Sequence, residues 1–198
     1  MSKIMNQLKA DHVNIITLLC IMENQLQLVQ DGDRVGSSKN EPILIIREIL
    51  DYMQQYPSVC HHPREDVLID VLIELLDQSD KQAREKIIDI KMQQENIEDL
   101  TAELYDHVQF SVESNYQGMI EQIKIYLDYY YKHIEIEESF LFPLAVELFS
   151  NDDWKEIDGH LCDINDPLFT AHEETENHFI RLHKMIVNHE KERKKKTA

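Results

Sequence analysis

The stretch Tyr129-Tyr-Tyr-Lys-His133-Ile-Glu-Ile-Glu137-Glu138-Ser-Phe-Leu-Phe142, read beside Cys60-His61-His62-Pro63-Arg64-Glu65-Asp66-Val-Leu-Ile69, decides the fold. Each segment carries His-x-x-x-Glu, as His61/Glu65 and His133/Glu137, and each runs on through a second acid into an apolar run. On a helix, positions i and i+4 lie on one face a turn apart, so each pair aims an imidazole and a carboxylate at one spot. Two such helices facing each other bring two His and two Glu together inside a bundle. That is ligand chemistry for a carboxylate-bridged pair of metal ions.

The rest of the chain supplies the bundle. Ser2 is placed as an N-cap, and Ile4, Leu8, Ile15, Leu18, Leu19, Met22 and Leu26 recur with helical period, predicting a first helix over about 3–30. Asp31 to Asn40 holds two of the four glycines and reads as a loop. A second helix follows over about 41–76, with Pro42 in its first turn and with Pro57 and Pro63 kinking or interrupting it. A third spans about 80–113 and a fourth about 116–149. A short turn around Trp154, a break at Asp163–Pro167 and a final amphipathic helix over about 168–193 complete the reading. The fold class is therefore all-α: an up-down-up-down four-helix bundle over 1–150, with a C-terminal helical extension over 151–198 that packs on the bundle or on a second subunit.

Antiparallel helices allow a check of levels, because each residue rises about 1.5 Å. His12 and His61 come out level, and the matching level on the third helix falls near residue 95 whether counted from His61 or from His133. His107 lies some twelve residues away, roughly 18 Å along the axis. It also sits at the edge of the stripe Ile90, Ile97, Leu100, Leu104 and Val108. Gln94 is therefore favoured over His107 as the third-helix residue at the site, unless helix overhangs shift the levels. His62 and Asp66 are a second i, i+4 pair; the parallel with Glu137-Glu138 favours His61 and Glu65, with His62 pointing elsewhere. Tyr129, Tyr130 and Tyr131 read as core residues that could also donate to the site.

Bulk properties narrow the function. With 20 Lys+Arg against 38 Asp+Glu the net charge is -18, which speaks against nucleic acid and anionic membrane as partners. The three cysteines form no C-x-x-C pair, so neither a disulfide framework nor a zinc ribbon is indicated, and Cys60 reads as a buried bystander thiol. No leader-like segment and no long apolar run occurs, and the chain is expected in the cytoplasm. His172, His178, His183 and His189 are not spaced to share one helix face. No nucleophile triad, phosphate-cradling loop or dinucleotide fingerprint is present.

Three pieces resemble the hemerythrin-like (HHE) cation-binding domain of bacterial type: Leu8-Lys-Ala-Asp-His12-Val-Asn-Ile15, Asp51 through Asp66, and Tyr129 through Pro143. Asn151-Asp-Asp-Trp154 and Asp166-Pro-Leu-Phe169 are also similar to its C-terminal part. The resemblance implies a non-haem di-iron centre, oxo- and carboxylate-bridged, with His12, His61 and His133 as terminal ligands and Glu65 and Glu137 as bridges. It implies a small diatomic ligand or peroxide as partner, since members include oxygen carriers, sensors, and proteins of the nitric oxide response and iron-centre repair. The family's third-helix histidine falls on Gln94, followed by Ile97, and the oxygen carriers' His-x-x-x-His pair is missing, with Ile90 and Glu98 at those offsets. A dedicated oxygen carrier is thereby disfavoured. The contrasting expectation is a helical interaction protein, acting through its acidic surface and final helix as a homodimer, whose metal site is degenerate or mononuclear.

Overall fold

The computed structural model describes residues 2–35, 40–77, 79–110, 116–160, 166–169 and 179–196, side chains excepted at 32–35, 160 and 189–196. Four helical rods form the bundle. α1 spans Lys3–Val35, with Ser2 Oγ accepting from the Met5 amide at 3.2 Å. The second rod is α2 (Asn40–Gln55), a π-helical turn over Pro57–His61, and α3 (His62–Leu75). α4 (Lys81–Phe110) is the third. The fourth is α5 (Tyr116–Ile136), a π-helical turn over Glu137–Leu141, and α6 (Phe142–Leu148). α7 (Asn151–Ile157) packs on α3, and α8 (Ile180–Lys196) on α1 and α2. Among the described residues there is no strand, and no helix is long and apolar enough to cross a membrane.

Several boundaries differ from the sequence reading, for local reasons. α1 continues through Asp31-Gly32-Asp33 to Val35, because a single glycine costs a helix only about 1 kcal/mol relative to alanine. The final helix begins at Ile180 rather than 168. Asp166 takes its place as the local organiser: its Oδ1 accepts from the amides of Leu168 (2.9 Å) and Phe169 (3.0 Å), closing a turn instead of starting a helix. Residues 111–113, at the expected end of the third helix, and most of the expected break at 163–167 lie outside the described residues.

The two π-turns share a cause. Each is followed by X-Pro at the start of the next helix, His62-Pro63 and Phe142-Pro143. Proline lacks the N–H that would close an α-turn, and its ring crowds the carbonyl four residues back. A wider turn relieves both problems: the amides of His62 and Phe142 reach back five residues, to the carbonyls of Pro57 and Glu137.

The apolar interior falls into two clusters. One gathers Ile15, Leu18, Met22, Ile49, Met53, Ile97, Ile123 and Tyr126, together with Phe179, Leu182 and Ile186 of the C-terminal segment. The other gathers Ile4, Met5, Leu8, Leu68, Leu72, Ile87, Ile90, Leu141 and Phe142. Along α1, α3 and α4 the stripe changes cluster at Asp11–His12, His61–Glu65 and Gln94, and on the fourth rod between Ile134 and Leu141. A buried polar layer thus lies across the bundle between two apolar blocks.

Asp166 also fastens the C-terminal segment, since its Oδ2 accepts from Tyr52 Oη at 2.9 Å and from Asn14 Nδ2 at 3.4 Å. Replacing it with alanine strands the buried Tyr52 hydroxyl and two amides, and should lower stability by about 2–4 kcal/mol, read as an earlier urea midpoint at unchanged slope. Burial pushes the Asp166 carboxyl above its ordinary range, against hydrogen bonds from Leu168, Phe169 and Tyr52 that lower it. The folded chain therefore holds this proton better than the unfolded one. That contribution is full below the unfolded pKa of about 4 and is lost as pH rises through the raised folded value. The Asp166→Asn variant should not show this loss.

Candidate metal centre

Each π-turn ends or begins on a functional side chain: His61 is the last residue of the first and Glu137 the first residue of the second. The wider turn changes which way consecutive side chains point, a common device at functional sites. From α1 comes His12, from the second rod His61 and Glu65, and from the fourth rod His133 and Glu137. All five are buried, none more than 2% exposed. One ligating atom from each of His12, His61, Glu65 and Glu137 lies within 4.8 Å of the others.

The contacts divide into two sides. On one, His12 Nε2 lies 3.2 Å from Glu137 Oε2 and 3.5 Å from Glu65 Oε1, and His61 Nε2 lies 3.4 Å from Glu65 Oε1. On the other, His133 Nε2 lies 2.9 Å from Glu137 Oε1. Glu137 therefore presents one oxygen to each side. Despite these separations, His12 Nε2, His133 Nε2, Glu65 Oε1 and both Glu137 oxygens make no aligned hydrogen bond among the described residues. An orphaned buried polar atom costs about 1–3 kcal/mol, so several converging ones call for a partner that all can share. A cation fits them.

The outward nitrogens are held in the way metal-binding histidines are. A carboxylate can only accept, so His12 Nδ1 donates to Glu138 Oε1 (2.9 Å) and His61 Nδ1 to Asp11 Oδ2 (3.4 Å). Both imidazoles thereby keep their Nε2 lone pair facing inward. His133 Nδ1 lies 3.4 Å from the amide oxygen of Gln93. The His12 ring stacks on Phe142, centroids 5.1 Å apart. Without a cation, protons take up part of its work. Burial pushes His12 down, but Glu137, Glu138 and Glu65 outweigh it and hold the imidazole up at about 11. His133 is likewise raised, burial being outweighed by Glu137 and Glu65. Glu137 is lowered, because His133 and His12 overcome a burial effect that acts upward.

The remaining expected residues sort clearly. Gln94 is 3% exposed and reaches the layer, as the level count requires, where its Nε2 donates to Glu65 Oε2 at 2.7 Å. His107 stays away and pairs with Gln122 near the surface. Asp66 pairs with Lys91 at 3.0 Å, which leaves the inner position to His61 and Glu65. His62 nonetheless does not turn away: it is 4% exposed, with Nδ1 donating to Glu98 Oε1 at 2.8 Å. Of Tyr129, Tyr130 and Tyr131, it is Tyr130 that lies at the layer, buried beside His133 with ring centroids 6.4 Å apart. Cys60, expected as a thiol, is disulfide-bonded, while Cys20 is free. His183 donates to the Leu168 carbonyl at 3.2 Å; His172, His178 and the His189 side chain lie outside the described residues.

Sequence reasoning missed Asp11, Arg64, Glu98 and Glu138 as supports. Two carried a local signal, since Asp11 and Arg64 are charges placed immediately before His12 and Glu65, and both are buried in the structure.

Residues 3–145 match the family described as Hemerythrin HHE cation binding domain. No curated protein and no solved structure matches the chain. The family match spans well over half the sequence and contains every residue of the buried His/Glu layer, so the chain belongs to the hemerythrin HHE cation-binding domain family.

Proposed function

We propose that this metal-binding bundle holds two iron ions and that it binds or responds to oxygen, nitric oxide or peroxide. The observation that carries the reading is the set of buried, inward-facing His12, His133, Glu65 and Glu137 atoms that lack aligned partners among the described residues, with His61 Nε2 3.4 Å from Glu65 Oε1 and Glu137 divided between two sides. His12, His61 and His133 are the proposed terminal ligands and Glu65 and Glu137 the proposed bridges. Mixed imidazole and carboxylate donors suit iron, and the absence of thiolates from the set speaks against structural zinc. When bound, the ions would supply electrons to a small ligand. The chain's own residues orient the imidazoles through Asp11 and Glu138 and keep bulk water out through the apolar blocks above and below. The five side chains are at most 2% exposed, an enclosure that suits a diatomic molecule or peroxide as the ligand class.

The Cys60 disulfide removes the cysteines as a support for the expected cytoplasmic location, which then rests on the sequence of the N-terminal segment and the lack of a long apolar run.

The test is metal content of protein purified without chelators, and again after anaerobic ferrous reconstitution. We expect about two irons per chain, with an optical change on exposure to oxygen, nitric oxide or peroxide. One metal or none under both conditions would favour the second reading, an interaction protein with a degenerate site. The observation behind that reading is that the third helix brings an amide, Gln94, instead of an imidazole.

A further inference from the structure

We propose that His62, and not Gln94, supplies the nitrogen that completes the second ion position beside His133. The inference rests on the two-metal reading above and names a ligand that reading does not contain.

His62 has the same arrangement as the two imidazoles on the first side. Its Nδ1 proton is fixed by the Glu98 carboxylate at 2.8 Å, which forces the lone pair onto Nε2. That Nε2 is buried and has no hydrogen-bond partner among the described residues. A histidine serving only to clip α3 to α4 would gain from Glu98 and lose about 1–3 kcal/mol at the orphaned nitrogen. A cation removes that loss.

Position agrees with chemistry. The His62 ring lies 6.4 Å from that of His133, nearly perpendicular at 87°, and 5.6 Å from that of His61. With nitrogens about 2.1 Å from one ion, two imidazole centroids on opposite sides of it lie about 6.5 Å apart, so His62 and His133 would flank the second ion from opposite sides. The first-side pair, His12 and His61, lies at 5.0 Å. Consecutive residues of an α-helix diverge by about 100°, and His61 and His62 can both be buried in the layer because the π-turn ends between them. One then leans on Asp11 of α1 and the other on Glu98 of α4. Gln94 is already engaged, its amide nitrogen bound to Glu65 Oε2 at 2.7 Å, which makes it a positioning residue for that carboxylate. The α4 helix thus offers Gln94 and, one turn on, Glu98: one holds a bridge and the other holds His62.

The experiment is anaerobic ferrous titration of the metal-free full-length chain, read as ions bound per chain and as the affinity of each step. Wild type should take up about two ions, His62→Ala about one, and Gln94→Ala about two at saturation, held more weakly because Glu65 loses its positioning amide. Glu98→Gln, which leaves every inward-facing atom in place, should weaken only the second step, by about 10–100-fold. Two ions in His62→Ala would overturn the proposal while leaving the two-metal reading standing, and so would loss of an ion in Gln94→Ala. One ion or none in wild type would overturn the reading and the proposal together. Should His62→Ala fail to fold, Glu98→Gln decides alone: an unchanged second step overturns the assignment.

Discussion

Glu137→Ala should leave the chain without bound iron and, in the metal-free state, less stable by about 3–5 kcal/mol. The side chain is fully buried, and its two oxygens serve opposite sides of the layer, Oε1 toward His133 and Oε2 toward His12. Losing it removes a donor from both proposed ion positions at once, so occupancy should fall from about two to near zero instead of halving. The stability loss has a separate origin. His12 is held up at about 11, and His133 is also raised, chiefly because carboxylates outweigh the cost of burying their charge. With Glu137 gone, one buried countercharge fewer faces the two imidazoles. Either they give up their protons or the fold bears unpaired charge. Glu137→Gln keeps the volume and one oxygen, so it should fold better than the alanine variant and still lose iron. Metal analysis and urea unfolding of the metal-free proteins measure the two effects independently. Stoichiometric iron in Glu137→Ala would remove it as a bridge. An unchanged midpoint would show that the layer carries little charge.

The helices and their faces were legible because hydrophobic periodicity depends on local spacing alone: Ile4, Leu8, Ile15 and Leu18 of α1 are buried as their spacing requires. Gln94 was legible because the rise of a helix is a constant, so a count along one rod fixes a level on another. What sequence did not reveal depends on helix geometry that departs from the constant. On a regular helix neighbours diverge by about 100°, which points His62 away once His61 faces the site, and the π-turn ending at His61 breaks that regularity. Pro57 and Pro63 did mark the irregularity, but proline says only that an α-turn cannot close, and not whether the chain kinks, stops or widens. The second π-turn is hidden for the same reason: Pro143, six residues after Glu137 and near the end of the fourth helix, does not say that the turn before it widens. The Cys60 disulfide was invisible because spacing along the chain says nothing of separation in space for distant cysteines.

Arg64→Ala is the second change with a large expected effect, about 3–5 kcal/mol of lost stability, although Arg64 is no ligand. Its Nη1 lies 2.9 Å from Asp11 Oδ2, and both side chains are buried, 4% and 1% exposed. Asp11 Oδ2 is also the oxygen that faces His61 Nδ1, while its Oδ1 accepts from Gln7 Nε2 at 2.9 Å and Tyr56 Oη at 3.4 Å. Removing the guanidinium leaves Asp11 as a buried anion held only by neutral donors and by His61. Two consequences separate this from an ordinary cavity. First, neutralising the partner should return part of the loss: Arg64→Ala with Asp11→Asn should be more stable than Arg64→Ala alone, since no unpaired charge remains. A core cavity would respond additively. Second, Asp11 without its anchor can swing and let His61 turn, so the iron affinity of the first side should fall by about 10–100-fold while the number of ions at saturation stays the same. A double-mutant cycle by urea unfolding, with ferrous titration of each variant, reads both. Additive losses would show that the pair is solvated and weakly coupled. A lost ion would show that Arg64 shapes the site directly instead of acting through Asp11 and His61.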